Sequence, residues 1–523
     1  MTYHNFMFAD VVAITQAFLL YGLFLFVPGY VISAALNILE FRSQTLFEKC
    51  ITAVAVSCAL SPVLAYLIWT IFSLTAVWIA FATLWCGYLF LIFRKLFSQN
   101  RALDLGMSRS SWMILALGSA WMLVALFSLL DMQFGDRLYR SVTDFDHCMR
   151  TAVVSAISRS GLPPRTPFFF PGHPVALRSH YFWLVLSSLV QLLSMGRVSA
   201  RDAMLASPLW CGLALLATIC LYQRFFFADP RKVTDATPVL SKPVGWQRKS
   251  VIAGALVAVT GLDILPTIYF YLTQHVTYAD MEWWNEQVTS WFDSMLWVPH
   301  HVAALLAGLT GFLIVFRKAA SINRSVVLAV IAGLAFACCT GTSVYVGFVF
   351  AIFATCWCIA LLLERSWHEL GALLLAGIIA LACLLPFITE VSSTASGGSF
   401  IEFHVRGFRF VDDFLVGHRF SAPWLIEPGT VFSAHILFMP VNYFFEFGFF
   451  FLVGLWRLRR YKKYPRHRTR TETCGLIMFA TGLLISMFLR SSAISNNDLG
   501  WRSCLLVQFI ALLWAADFLL ALF

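Results

Sequence analysis

The chain has 523 residues, of which 60% are hydrophobic and only 12% charged, and its mean hydropathy is +0.78. Soluble domains contain roughly 45–50% apolar and about 25% charged residues, so this composition excludes a soluble globular protein. The formal net charge of +10 comes from basic residues in short loops between apolar runs, which indicates membrane topology and not nucleic-acid binding. We therefore expect a polytopic integral membrane protein with no nucleic-acid partner.

Apolar runs recur at lengths near the roughly 20 residues that a helix needs to cross the hydrocarbon core. A closed barrel would show short alternating strands, and no such alternation dominates. The predicted fold class is all-α, a transmembrane helical bundle of about 13 spans with extracytoplasmic loops and interfacial helices. The predicted spans are 9–37, 50–70, 72–95, 111–130, 204–223, 251–272, 298–316, 325–341, 345–363, 369–388, 431–456, 473–490 and 502–522.

The first run has no basic segment before it and no small-residue cleavage site, so it is expected to be a retained helix and not a removed signal peptide. Most of the 13 cysteines lie inside apolar spans, where packing is their ordinary role. Neither feature points to a soluble domain.

Basic residues cluster in alternate loops, at 94–109, 224–249, 317–324 and 457–470. The positive-inside rule places these loops in the cytoplasm. The opposite face then carries four longer segments, which are 131–203, 273–297, 389–430 and 491–501. We divide the chain accordingly into N-terminal helices (1–130), a first major extracytoplasmic loop (131–203) and C-terminal helices with outer loops (204–523).

Whether the basic loops all lie on the cytoplasmic side depends on the apolar segment 181–195. A crossing there would move the basic loop at 224–249 to the wrong side. Its short length and its polar Ser187, Ser188 and Gln191 favour a helix at the outer interface. A true span stays open as the alternative.

Ionisable residues concentrate between apolar spans in the stretch 141–183. Charges beside a bilayer are unfavourable unless they face water, a partner or a substrate. This stretch is therefore the first candidate for chemistry. Its candidate residues are Asp144, Asp146, His147, His173, Arg178 and His180.

Three motifs follow one another in the stretch: an acidic pair in TDFDH (143–147), a Pro-Pro turn (163–164) and an aromatic helix opened by HYFW (180–183). Weaker matches are WVPHH (297–301) and NNDLGWR (496–502). Together they resemble the GT-C superfamily of polyprenyl-phosphate-dependent membrane glycosyltransferases, in particular bacterial proteins similar to protein mannosyltransferases and aminoarabinose transferases. The resemblance implies transfer of a sugar, with inversion, from a polyprenyl-phosphate carrier to an acceptor outside the cytoplasm.

Such a transfer needs a carboxylate that takes the proton of the acceptor hydroxyl, and Asp144 or Asp146 is the expected base. Capping of a helix that begins near Asp146 is an alternative use of either residue. Both uses are compatible with one another.

The phosphate of a lipid-linked donor needs cationic or polar partners. Arg178 and Arg502 are the guanidinium candidates, although Arg502 is also spaced for a local ion pair with Asp498. The remaining substrate-binding candidates are His147, His173, His180, Asp263, His300, His301 and Asp498. Asp263 and Glu446 lie inside predicted spans, so we expect both to face protein and not lipid.

The expected partners are the polyprenyl-phosphate sugar donor, the bilayer, and a glycan, lipid or protein acceptor. No cofactor is required by the sequence, and a divalent cation is left open. The expected location is the cell inner (plasma) membrane, with an extracytoplasmic site. Two competing functions stay open: a transporter or flippase of lipid-linked sugars, and an oligosaccharide polymerase or ligase, for which the late segment 403–419 carries Arg and His residues.

Overall fold

The structure is a computed structural model. It describes residues 6–97, 107–139, 146–168, 172, 175–177, 179–227, 245–262, 264–275, 285–317, 321–392, 401–415, 428–464, 469–492 and 497–522. Four predicted site residues lie outside the described residues, namely Asp144, His173, Arg178 and Asp263.

Helices form nearly all of the described secondary structure, as the composition predicts. In chain order they are α1 (Phe6–Leu25), α2 (Val27–Leu36), α3 (Leu46–Ile71), α4 (Leu74–Phe97), α5 (Arg109–Leu129), α6 (His147–Ser160), α7 (Phe182–Leu193), α8 (Ala200–Leu221), α9 (Trp246–Leu256), α10 (Ile264–Gln274), α11 (Trp291–Trp297), α12 (Pro299–Phe316), α13 (Ile322–Thr342), α14 (Val344–Leu363), α15 (Trp367–Ser392), α16 (Arg409–Leu415), α17 (Pro428–Phe447), α18 (Phe449–Lys463), α19 (Arg470–Phe488) and α20 (Asp498–Leu522). The described strands are β1 (Met132–Phe134), β2 (Arg137–Tyr139), β3 (Ile401–Phe403) and β4 (Leu489–Ser491), paired antiparallel as β1–β2 and β3–β4.

Eleven helical segments of the described chain are long and apolar enough to cross a membrane. Each of them coincides with a predicted span, from Ala9–Leu36 at the start to Asp498–Leu522 at the end. Large apolar side chains on the outside of these helices are exposed, for example Ile79 at 64% and Ile378 at 63%. Since lipid is the solvent that suits such surfaces, the fold is that of a polytopic helical membrane protein.

Two predicted spans are not single helices. The span at 251–272 is replaced by α9 and α10, and the break between them brings Leu262 to the backbone of α17, where its N–H donates to Phe445 O at 2.6 Å. Gly261 permits this approach, because an added Cβ would overlap Glu446 O. The span at 431–456 is divided into α17 and α18 at Gly448, whose φ of +49° favours glycine.

The chain forms two compact units. The first unit comprises Met1–Gly254, Asp293–Gly347 and Cys358–Ala395, and the second comprises Ala255–Phe292, Phe348–Trp357 and Ser396–Phe523. In the first unit most side chains of α3, α8 and α12 are buried, which makes these helices its core. In the second unit the most deeply buried helix is α20, from Leu499 to Ala516.

Contacts within the first unit agree with the predicted alternation of its loops. Arg317 and Arg224, in two loops predicted to be cytoplasmic, pair with Glu40 at 3.0 Å and with Glu48 at 2.9 Å, so the segment 40–48 lies beside both loops. At the predicted outer side, Arg201 at the start of α8 pairs at 3.1 Å with Asp131, just after α5. The two ends of the loop 131–203 therefore meet, which agrees with a segment that starts and ends on the same side of the membrane.

Helix α7 is the segment whose crossing was in doubt. Its 12 residues span about 18 Å, well short of the roughly 30 Å hydrocarbon core. Every side chain from Phe182 to Val190 is buried in the protein. The helix is therefore too short to cross the hydrocarbon core alone and is enclosed by protein, and its location at the outer interface stays a prediction.

Candidate functional site

The acidic motif places Asp146 at the N-terminus of α6, as the sequence predicts. Its backbone has φ −85° and ψ −8°, and its side chain makes no capping hydrogen bond. Instead Asp146 Oδ2 accepts a hydrogen bond from Trp297 Nε1 at 2.7 Å and one from Arg150 at 3.2 Å. The carboxylate therefore joins two helices and does not cap its own.

The first turn of α6 holds the C-terminal end of α11. His147 Nε2 donates to Leu296 O at 2.8 Å, and the Arg150 guanidinium donates to Trp297 O. His147 is 2% exposed, so this contact is removed from solvent. Together with the hydrogen bond between Asp146 and Trp297, the side chains of Asp146, His147 and Arg150 thus bind the last two residues of α11.

Three histidines from separate parts of the sequence form a second cluster in the first unit. His300 and His301 occupy the first turn of α12, and His180 precedes α7. The ring centroids of His180 lie 5.0 Å from His300 and 5.2 Å from His301, and the latter two rings are 4.1 Å apart. Candidate metal-binding atoms of the three residues all lie within 4.8 Å of one another.

Local sequence explains how these side chains are presented. Pro299 is the first residue of α12, a position where its missing N–H costs no helical hydrogen bond. The helix thus starts directly at the two histidines. His301 Nδ1 lies 2.6 Å from Ser343 Oγ, and Ser343 is the N-cap of α14.

The residue after His180 is anchored separately. Tyr181 is 1% exposed, and its hydroxyl donates to Glu390 Oε2 at 2.9 Å. Burial, and next the negative charge of Glu390, raise the pKa of Tyr181, so its hydroxyl keeps its proton and acts as a donor. This anchor holds His180 at the start of α7.

Two predicted substrate-binding residues, Asp498 and Arg502, lie in the second unit and contact one another. Arg502 is 2% exposed and pairs with Asp498 at 3.3 Å across one turn of α20. The alternative of a local ion pair is therefore confirmed. The structure brings together Asp146, His147 and the end of α11, and separately His180, His300 and His301.

The second unit also contains a buried charge network that the sequence interpretation missed. Arg406 is fully buried, and it donates to Ser486 Oγ at 2.9 Å, to Asn442 Oδ1 at 3.3 Å and to Glu286 O. Its guanidinium lies 3.8 Å from the Glu286 carboxylate. Burial lowers the pKa of Arg406, but the negative charges of Glu446 and Glu286 contribute to a net shift above its ordinary value, so Arg406 keeps its charge.

Glu286 and Glu446 are the acidic members of this network. Glu446 is 3% exposed and accepts from Val288 N at 3.0 Å and from the amide of Asn285, so the prediction that it faces protein is confirmed. Burial opposes the charge of Glu286. Hydrogen bonds from His404 and Asn497 and the charge of Arg406 outweigh it and lower the pKa of that carboxyl below its ordinary value.

Weak sequence signals existed for part of what was missed. Arg150 stands four residues after Asp146, the spacing of a helical ion pair, and Trp297 begins the WVPHH motif. Arg201 also pairs with Asp10 at 3.1 Å, a contact between residues 191 positions apart for which the sequence contains no local pattern. Arg406 lies in FHVRGF, where nothing distinguishes a buried arginine from a loop arginine.

No model of a protein family matches the chain. The chain is similar to an uncharacterised protein, y4nK, of Sinorhizobium fredii, at 24% identity over 408 residues, which are 74% of this chain and 54% of that protein. The chain thus spans about half the length of the curated relative that it matches.

Two solved structures of the Archaeoglobus fulgidus oligosaccharyltransferase are among its structural neighbours. One is AglB with an inhibitory peptide and a dolichol-phosphate, at a TM-score of 0.43 and 12% identity over 78% of this chain and 50% of the archaeal chain. The other is tethered to an acceptor peptide and gives a TM-score of 0.46 at 12% identity, over 79% and 50%. At these values we transfer no property of the archaeal enzyme to this chain.

Proposed function

We propose that this protein is a membrane glycosyltransferase of GT-C type, which moves a sugar from a polyprenyl-phosphate carrier to a glycan, lipid or protein acceptor. The observation that carries the proposal is Asp146, a carboxylate that Trp297 and Arg150 orient at the N-terminus of α6. We assign the sugar-transfer site to the extracytoplasmic face of the cell inner (plasma) membrane, because the basic loops are expected on the cytoplasmic side.

The reaction is a single displacement at the anomeric carbon. The acceptor hydroxyl oxygen forms a bond to that carbon, and the bond from the carbon to the phosphate oxygen breaks. The electron pair leaves with the polyprenyl phosphate, and the hydroxyl proton passes to the base. One displacement of this kind inverts the configuration of the sugar.

Asp146 is our assignment for the base. Both donors described above bind its Oδ2, so we assign Oδ1 to the acceptor proton. Arg150 and Trp297 are positioning residues that hold the carboxylate plane. Asp144 stands two residues earlier in the same motif and is kept as the second acidic candidate.

Phosphate binding is assigned to His180, His300 and His301 together with Arg178 and His173 of the same loop. Asp263 is kept as a candidate on the sequence pattern alone. Asp498 and Arg502 likewise stay candidates on the sequence pattern, and in the structure they pair with one another at 3.3 Å within the second unit.

An oligosaccharide polymerase or ligase would use Arg and His residues of the late segment 403–419. The arginine there that is most deeply placed, Arg406, is fully buried among Glu286, Asn442 and Ser486. This burial favours a structural role for Arg406. Residues 416–419, which include His418 and Arg419, lie outside the described residues, so the polymerase or ligase stays the second candidate function.

The experiment that tests the proposal uses the purified full-length protein in detergent with a labelled polyprenyl-phosphate sugar and a panel of acceptors. Asp146→Asn is expected to lower transfer by about 10²–10⁴-fold, the usual contribution of a general base, while expression stays near that of the wild type. Asp136→Asn serves as the matched control, because Asp136 is an exposed acidic residue in the β1–β2 turn. Undiminished transfer by a double variant at Asp144 and Asp146 would overturn the site assignment.

A further inference from the structure

We propose that His180, His300 and His301 form a binding site for one borderline-soft divalent cation of the zinc class, with an open fourth coordination position. The proposal stands on the geometry of the three rings and does not depend on the glycosyl-transfer proposal.

The ligand set is the first argument. Imidazole nitrogens suit zinc and its neighbours in the first transition row, whereas magnesium and calcium require oxygen ligands. Three histidines that leave a fourth position open are a known arrangement of zinc sites that bind water or substrate. A carboxylate cluster would have pointed to a different ion.

Burial is the second argument. His300 is 8% and His301 3% exposed, and their ring centroids are only 4.1 Å apart in the first turn of α12. Two imidazole ligands that packing already holds this close are preorganised to share one ion.

Orientation is the third argument. The hydroxyl of Ser343 accepts from Val346 N at 3.2 Å and lies 2.6 Å from His301 Nδ1. We assign Ser343 Oγ as the acceptor in this contact, which would put the proton of His301 on Nδ1 and leave Nε2 as its metal-binding atom. A hydrogen bond to the second ring nitrogen is how proteins orient metal-bound histidines.

The three nitrogen atoms must close around the ion. They lie within 4.8 Å of one another, whereas ligands about 2.1 Å from a tetrahedral zinc ion are separated by about 3.4 Å. His180 is the partly exposed member of the three, and it stands in a loop before α7. We assign the closing movement to the side chain of His180.

The open position would take an anion or water. The cluster follows Trp297, which binds Asp146, by only three residues along the chain. A cation held there would present one positive site to a phosphate group close to the acidic motif, which is the chemistry that a phosphate ester or free phosphate requires.

The test measures metal content and cobalt spectra of the full-length protein, purified in detergent through an affinity tag without histidines. We expect about one zinc ion per chain after equilibration with zinc and removal of free metal, and an intense visible spectrum of tetrahedral Co²⁺ after replacement. His301→Ala and His180→Asn should each abolish both signals. His368→Ala is the control, since His368 is exposed at the start of α15 and lies outside the cluster.

A second variant separates metal binding from folding. Ser343→Ala retains all three ligands and is expected to weaken zinc binding by about 10–100-fold, the usual effect of removing an outer-shell partner. Ser343→Thr, which keeps a hydroxyl, should restore it. The proposal is overturned if the wild type retains no zinc above the His301→Ala background, or if cobalt shows only the spectrum of the aqueous ion.

Discussion

Asp146 shows how one residue can stand at a helix start without capping it. An N-cap aspartate ordinarily accepts from the N–H of the second or third helical residue. Here the side chain accepts hydrogen bonds from Trp297 and Arg150 instead. The backbone N–H groups in the first turn of α6 therefore do not determine its position. The interaction with α11 therefore fixes the orientation of the carboxylate that we assign as the base.

Replacement of Trp297 by phenylalanine tests this interaction. The variant keeps an aromatic ring but loses the indole N–H that donates to Asp146 Oδ2 at 2.7 Å. A hydrogen bond to a charged group contributes about 1.5–3 kcal/mol, so we expect sugar transfer to fall by roughly 10–100-fold. The measurement is the initial rate with a labelled lipid-linked sugar.

Trp367→Phe is the control for this variant, because Trp367 is 63% exposed at the start of α15. Its transfer rate should equal that of the wild type. Equal rates for Trp297→Phe and the wild type would mean that the indole does not position the carboxylate.

Sequence patterns identified residues whose role depends on near neighbours and missed those whose role depends on distant ones. The helix start at Asp146 and the pair of Asp498 with Arg502 follow from spacing of four or fewer residues. The pairing of His180 with His300 depends on tertiary packing across 120 positions, although each histidine was a candidate separately. Burial of Arg406 has no local signature at all.

At the scale of elements, α7 depends on tight packing against α13. Gly341 lies in the last turn of α13, and an added Cβ would overlap the ring of Phe182 at the start of α7. Phe182 is itself fully buried, so it has little room to move. A methyl group at position 341 must therefore displace one of the two helices.

Gly341→Ala is expected to destabilise the protein by about 1–3 kcal/mol, the usual cost of overpacking a filled core. The measurement is thermal unfolding of the purified protein in detergent. Gly377→Ala is the matched control, because Gly377 also lies in a helix but has open space where its Cβ would be. That control should be neutral or slightly stabilising, since alanine favours helix. A lower melting temperature for Gly377→Ala than for Gly341→Ala would contradict this packing argument.

Hydrophobicity predicted eleven helical segments correctly because length and apolar composition are local properties. It missed the breaks inside 251–272 and 431–456. A distant partner fixes the first break, and the second lies at Gly448 with its φ of +49°. Leu262 donates its N–H to Phe445, so the chain can leave the helix without an unsatisfied donor. A hydropathy average over neighbouring residues contains no information about a hydrogen bond to a residue so far along the chain.

At the scale of the whole molecule, the predicted sidedness can be tested with reporter fusions. Fusions after Met195 and Gly397 are expected to be active with a reporter that works outside the cytoplasm, and a fusion after Lys463 with one that works inside. Met195 is 92% exposed, so a junction there does not interrupt the core. The physical reason is retention of the basic loops in the cytoplasm. The opposite pattern would invert the topology and move the candidate site to the cytoplasm.

Acid sensitivity of the whole protein follows from the charge network of the second unit. The pKa of Glu286 is below its ordinary value of 4.5, so the folded state favours the ionised form more than the unfolded chain does. The resulting stabilisation is complete above pH 4.5 and is lost as the pH falls through the folded-state pKa. Protonated Glu286 would then resemble glutamine.

Glu286→Gln should therefore lower the melting temperature at pH 7, by an amount that corresponds to roughly 1–3 kcal/mol for a weakened charged hydrogen bond. The difference from the wild type should shrink as the pH falls below 4.5 and through the lowered pKa of Glu286, because only the wild type loses a charge there. Glu364→Gln, at an exposed position, should follow the wild type throughout. A difference that stays constant or grows towards low pH would show that Glu286 is not ionised in the native protein, and that Glu446 alone balances the charge of Arg406.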